Sequence, residues 1–145
     1  MLGKKCGDVM TKDLVCCVAG DTVQKVAQSM KAQDVGAVPV VDSHEKKKLV
    51  GIVTDRDLAM KVVAAGLDSA TTTLENVMSR KMVVCKADDD WHVALDAMAK
   101  HKLRRIPVVD GEGRIAGIIA QADVATRIEN AEATAKVVEE ISKTA

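Results

Sequence analysis

The chain has 145 residues, 48% of them apolar, and its 21 basic residues balance 21 acidic ones. That length makes one compact domain or two small ones tightly joined. Zero net charge, with Trp91 as the one Phe, Tyr or Trp residue, excludes a surface that grips nucleic acid by bulk charge or stacks its bases.

No apolar run approaches the ~20 residues that span a bilayer. The segment MLGKKCGDVM lacks the apolar stretch of a secretion signal. A cytoplasmic protein with no nucleic-acid or membrane partner is the expectation. Val, Ile, Leu, Met and Ala must fill the core.

In chain order the elements come twice. DVMTKDLVCCVAGDTVQKVAQSMKAQDVGAVPVVD, from Asp8 to Asp42, aligns with NVMSRKMVVCKADDDWHVALDAMAKHKLRRIPVVD, from Asn76 to Asp110, at a shift of 68, with 11 identities in 35 positions. Each copy predicts a short strand first, Val15–Val18 or Met82–Cys85. An amphipathic helix follows, opened by Asp21 with Gln24 at capping-box spacing in the first copy. Val23, Val26, Ala27 and Met30 then lie on one face, as do Trp91, Ala94, Leu95 and Met98. Next comes a continuous apolar strand, Ala37–Val41 or Ile106–Val109. Pro39 and Pro107 fall inside these runs, where a missing N–H suits an edge, a strand start or a bulge. A turn leads to a return strand, Leu49–Val53 or Ile115–Ile119. A second helix closes the copy, Asp57–Ala65 stopped by Gly66, or Asp123 onward. The fold class is therefore α+β: two pseudo-symmetric β-α-β-β-α repeats, with a C-terminal helix over 126–145. The partition is 1–68 for the first repeat with its N-terminal segment, 69–128 for the second, and 129–145 for the tail.

The segment Gly51-Ile-Val-Thr54-Asp55-Arg56-Asp57 has two readings. Thr54 and Asp57 have capping-box spacing, which needs no ligand. The same helix N-terminus suits a phosphate, a carboxylate there suits a ribose diol, and an Arg suits a phosphate bidentately. The second copy reads Gly117-Ile-Ile-Ala120-Gln121-Ala122-Asp123, which keeps the Asp and loses the cap hydroxyl. Cys6, Cys16, Cys17 and Cys85 form no Cys-x-x-Cys pair and read as buried thiols. The three scattered histidines suggest no metal site. No nucleophile–base pair points to an enzyme.

The doubled pattern of Val-Met, V, G-A-V-P-V-V-D and G-I-V-T-D-R-D-L resembles a tandem pair of cystathionine β-synthase (CBS) domains, a Bateman module, over about residues 8–127. The resemblance implies a non-catalytic regulatory protein that binds an adenosine-containing ligand in clefts between the repeats. AMP, ADP and ATP lead that class, with S-adenosylmethionine and NAD as further members. It also implies a homodimer and a separate regulated protein partner. One cleft would use Thr54 and Asp57 with Met78, Val83, Arg105 and Ile106. Asp57 would take the ribose hydroxyls, Val83 and Ile106 would flank the base, partly through backbone groups that read the adenine edge, and Arg56, Arg104 and Arg105 would meet phosphate. The other cleft would use Asp123 with Met10, Val15, Gly36, Ala37 and Val38. It departs from the family pattern at Ala120 and Ala122, so the Asp57 cleft is expected to fill first. The competing reading is a structural dimerisation module with empty clefts.

Overall fold

The structure is a computed structural model that describes residues 4–122 and 138–142. The chain forms two compact units. The first is Val15–Met82, and the second joins Met1–Leu14 to Val83–Ala145.

In the first unit, β1 (Cys17–Val18), β2 (Ala37–Val41) and β3 (Leu49–Thr54) make a sheet of that order. β1 is parallel to β2, and β3 is antiparallel to it. α2 (Val23–Gln33) crosses between β1 and β2. It buries Val23, Val26 and Met30 of the stripe expected from helical spacing, while Ala27, expected on the same face, lies at its margin and is exposed. α3 (Asp55–Leu58) continues as a π-helical turn, Ala59–Val63, which ends before Gly66 at φ 70°. A 3₁₀ turn, Leu74–Asn76, closes the unit.

The second unit repeats this order. β4 (Cys85–Lys86), α4 (Trp91–His101), β5 (Arg105–Val109) and β6 (Ile115–Ala120) form a sheet of order β4-β5-β6 with the same parallel and antiparallel pairings. α4 buries Trp91, Ala94, Leu95 and Met98. α1 (Cys6–Val9) takes the place that the 3₁₀ turn takes in the first unit. Residues 138–142 are helical, and Ile141 joins this unit's core. The expected helix over the rest of 126–145 lies outside the described residues.

Backbone hydrogen bonds show why α1 sits there. The Cys6 N–H donates to Asp89 O at 2.8 Å, as the Leu74 N–H donates to Asp21 O at 2.9 Å. The Gly7 N–H donates to Ala87 O, as Glu75 does to Ala19, both at 3.0 Å. Thr11 exchanges two bonds with Ile118, as Ser79 does with Ile52. Each sheet is thus extended by the segment that precedes the other repeat in sequence. The sequence reading placed the N-terminal segment with the first repeat; residues 4–11 make these bonds to the second. Buried backbone groups must be paired, and the outer edge of β6 takes its partners from Thr11.

Pro39 and Pro107 occupy the middle of the central strands, not the edge or strand start expected of proline; the bulge, the third place expected, lies just beyond them, at Val40/Val41 and Val108/Val109. Pro39 lies opposite Ile52, whose N–H and C=O both bond Ser79 instead. That antiparallel pair therefore exchanges no hydrogen bond, and no donor is missed. Pro107 stands opposite Ile118, which bonds Thr11 in the same way.

The leading strands are shorter than expected, since only two residues of each meet the parallel partner. The helix cap also moves by one residue. Thr22, not Asp21, is the N-cap of α2, its hydroxyl accepting from Lys25 N. Asp21 is engaged in the turn before the helix, accepting from Val18 N at 3.0 Å and pairing with Lys25 Nζ at 3.2 Å. Asp89 does the same to Lys86 N, leaving Asp90 to cap α4.

Candidate functional site

The junction of β3 and α3 carries the Thr-x-x-Asp segment. Its extended Thr54 leaves the strand with φ −118° and caps α3. Thr54 Oγ1 accepts from Asp57 N at 3.1 Å, and Asp57 Oδ2 accepts from Thr54 N at 2.9 Å. The capping box read from the sequence is therefore formed. Beside it, the Asp55 N–H donates to Gly36 O at 2.9 Å, and Thr54 pairs with Ala37 across the sheet.

The second oxygen of Asp57 is also held. Asp57 Oδ1 meets Lys61 Nζ at 3.2 Å, and the same ammonium donates to Val77 O at 3.0 Å. Lys61 thus ties the carboxylate to the segment that carries Met78. Sequence reasoning passed over Lys61, although its four-residue spacing from Asp57 was a usable signal. The Asp57 side chain keeps 18% of its surface exposed. Each of its oxygens retains acceptor capacity beyond the bond it makes.

Met78 packs where Gly51 opens the strand. A Cβ built on Gly51 would lie 2.9 Å from Met78 Sδ. Arg56 is exposed, and among the described residues its guanidinium forms no ion pair.

The expected residues divide between the two units. Thr54, Arg56, Asp57 and Met78 share the first with Val15, Gly36, Ala37 and Val38. Met10, Val83, Arg104, Arg105 and Ile106 belong to the second. Asp123 lies outside the described residues. Gly36 and Ala37, expected in the other cleft, are the backbone neighbours of Thr54 and Asp55 in this unit.

In the second unit the matching junction runs from β6 into Gln121. The Gln121 N–H donates to Arg104 O at 2.9 Å, and Arg105 pairs with Ala120. Arg104 and Arg105 are both exposed, and neither forms an ion pair among the described residues. Ala120 has no hydroxyl to offer Asp123. Met10 lines an open groove of about 480 Å³ with Gly7, Asp8, Thr11, Lys12 and Asp13.

Ile106 and Val38 are 0% exposed and belong to the cores of their units. Their side chains present no surface to a base; only their backbone groups are left for that role. Strand alternation puts Val38 with Val40, and Ile106 with Val108, on the core face of each sheet. Val83 is half-buried against the second unit's core.

No helix of the described residues is long and apolar enough to cross a membrane. No group of three or more His, Cys, Asp or Glu among the described residues is placed to hold a metal.

The model of the CBS domain family matches this chain twice, at residues 6–64 and 74–130. Hypoxic response protein 1 of Mycobacterium tuberculosis is 33% identical over 121 residues, 83% of this chain and 82% of that protein. The crystal structure of hypoxic response protein I, with two coordinated zinc ions, matches 86% of this chain and 99% of its own at 32% identity and a TM-score of 0.77. The CBS domain pair of protein MJ0100, solved with 5-methylthioadenosine and S-adenosyl-L-methionine, is 26% identical at a TM-score of 0.74, covering 85% of this chain and 98% of that one. CBSX2 in complex with AMP is 25% identical at a TM-score of 0.72, over 86% and 95%.

Proposed function

This chain belongs to the CBS domain family and carries the domain twice, and we propose that it is a non-catalytic regulatory module that binds an adenosine-containing ligand. Asp57 carries the reading. Its carboxylate is held in one orientation by Thr54 N and Lys61 Nζ while part of its surface stays open. A carboxylate so placed can accept both hydroxyl hydrogen bonds of a ribose. The exposed Arg56 beside it supplies a cation for a phosphate. Similar CBS pairs solved with 5-methylthioadenosine, S-adenosyl-L-methionine or AMP support this ligand class. With no Phe or Tyr in the chain, adenine would rest on aliphatic side chains. The affinity should then be modest, with a Kd of about 1 μM or weaker.

The output would pass through self-association or a separate protein. Met60 and Val63 follow Asp57 on the next turn of helix and are 57% and 76% exposed. Such an apolar face suits a two-fold contact with a second copy.

A second reading, a structural dimerisation module, draws on Ala120, which lacks the cap hydroxyl that Thr54 provides. A thermal-shift panel separates the two: AMP, ADP, ATP, S-adenosylmethionine and NAD, with a guanine nucleotide as control, on protein freed of co-purified nucleotide. Binding to the native state raises the melting point by mass action, so weak ligands register at millimolar concentration. A selective rise that disappears in Asp57→Ala supports the ligand-binding reading. That variant also loses a helix cap, so the ligand-induced shift is compared rather than the absolute melting point. A flat panel favours the structural module.

A further inference from the structure

We propose that Cys6 and Cys85 form a dithiol that a hydroperoxide converts into an intrachain disulfide, a redox modification site in the second unit. Cys6 lies on α1 and Cys85 on β4, far apart in sequence. Both are buried in one core, at 0% and 2% exposure. Two backbone bonds bring α1 onto this strand end, Cys6 N–H to Asp89 O and Gly7 N–H to Ala87 O. The two thiols are near enough to perturb each other, while the Cys6 thiol donates to Asp90 O at 3.6 Å and that of Cys85 to Pro107 O at 3.9 Å.

The first unit supplies an internal comparison. At the place of Cys85 it has Cys17, and at the place of Cys6 it has Leu74, buried at 0%. The fold therefore accepts an aliphatic residue at this point and does not need a second thiol. Cys17 is accordingly an isolated buried thiol, its pKa pushed up to about 12 chiefly by burial. In the second unit the thiol pair is chemically asymmetric. The neighbouring Cys85 lowers the pKa of Cys6 against the opposing effect of burial, and Cys6, with burial, raises that of Cys85. Cys6, on the short α1, meets an oxidant first, and Cys85, held in the β4 strand of the sheet, resolves it.

The steps balance. The Cys6 thiolate attacks the outer oxygen of the hydroperoxide, the O–O bond breaks, and Cys6 becomes a sulfenic acid as the alcohol, or water from hydrogen peroxide, leaves. Cys85 then attacks that sulfur, the S–O bond breaks, and water leaves with the Cys85 proton. Two thiols lose two electrons in all, and the peroxide gains them. Burial restricts the oxidant to a small molecule, admitted when the four-residue α1 lifts locally. The disulfide would then fix α1 to β4, and with it the Thr11 bridge to β6.

The test uses the full chain, reduced first and then treated with hydrogen peroxide. Free thiols are alkylated in denaturant, and the protein is digested with trypsin without reduction. Cleavage after lysine puts Cys6 in peptide 6–12, Cys85 in 82–86, and Cys16 with Cys17 in 13–25. The expected product joins 6–12 to 82–86, separates with dithiothreitol, and leaves 13–25 alkylated at both cysteines. Alkylation of all four cysteines, a sulfinic acid on 6–12, or a cross-link to 13–25 would each overturn the proposal. As a second readout, the oxidised wild type should melt roughly 5 °C or more above the reduced form. Cys6→Leu, which installs the residue of the first unit, should show no such rise. If that variant does not fold, the peptide map of the wild type decides alone.

Discussion

Met10 packs against the bare Cα of Gly117. A Cβ built on Gly117 would stand 2.5 Å from Met10 Sδ and 2.8 Å from Thr11 O. The methionine could turn aside, but the carbonyl is fixed by the two bonds between Thr11 and Ile118. Gly51 faces Met78 and Ser79 with more room, at 2.9 and 3.1 Å. Gly117→Ala should therefore cost about 1–3 kcal/mol, and Gly51→Ala less. Urea unfolding of both variants, followed by circular dichroism, measures this. Equal costs would show that the carbonyl yields.

The C-caps of α2 and α4 are left-handed yet not glycine. Asp34 has φ 53° and Lys102 has φ 57°. A side chain in this region costs about 1–2 kcal/mol, which glycine avoids, less its greater loss of chain entropy. Lys102 is exposed and forms no ion pair among the described residues. Lys102→Gly should raise stability by about 0.5–1 kcal/mol. An unchanged or lower urea midpoint would contradict the strain.

Trp91 is 1% exposed in the core of the second unit. Trp91→Ala should destabilise that unit by about 3–5 kcal/mol. In the wild type, indole fluorescence should report the second unit alone. Fluorescence and circular dichroism transitions will then separate if the two units unfold independently, and coincide if they unfold together.

Hydrogen bonds from the Arg114 and Glu112 amides, together with the Arg114 guanidinium, hold the Asp110 carboxyl below its ordinary pKa of 3.8. A depressed folded pKa stabilises the protein above the unfolded value, and that contribution is lost as pH falls through the folded one. Asp110→Asn should therefore melt below the wild type at pH 6. The gap should narrow only as pH drops past 3.8. Melting curves from pH 6 to pH 2.5 test this, and a gap independent of pH would remove the carboxylate from the argument.

Much of this protein was legible in the chain because its signals are local. The shift of 68 announced two equal units. Helical spacing placed Val23, Val26 and Met30 inside, and Trp91, Ala94, Leu95 and Met98 likewise. Thr54 and Asp57 declared their reciprocal cap, because both partners lie within one turn. Asp21 misled, since its carboxylate had two local uses and the turn after β1 took precedence over the helix.

Other features depend on residues that meet only after folding. Proximity in sequence assigned residues 4–11 to the first repeat, but the open edge of β6 needed partners and Thr11 supplied them. Pro39 looked misplaced in a central strand until Ile52 proved to spend its hydrogen bonds on Ser79. Ile106 was expected beside a base, partly through its backbone, and strand alternation turned its side chain into the core. The pairing of Cys6 with Cys85 has no local sign at all. The sequence by itself determined the repeat, the helix faces and the Thr54–Asp57 cap, because each rests on contacts within a few residues. The tertiary structure decided which segment completes which sheet, because unpaired backbone edges are satisfied by whatever the fold brings to them.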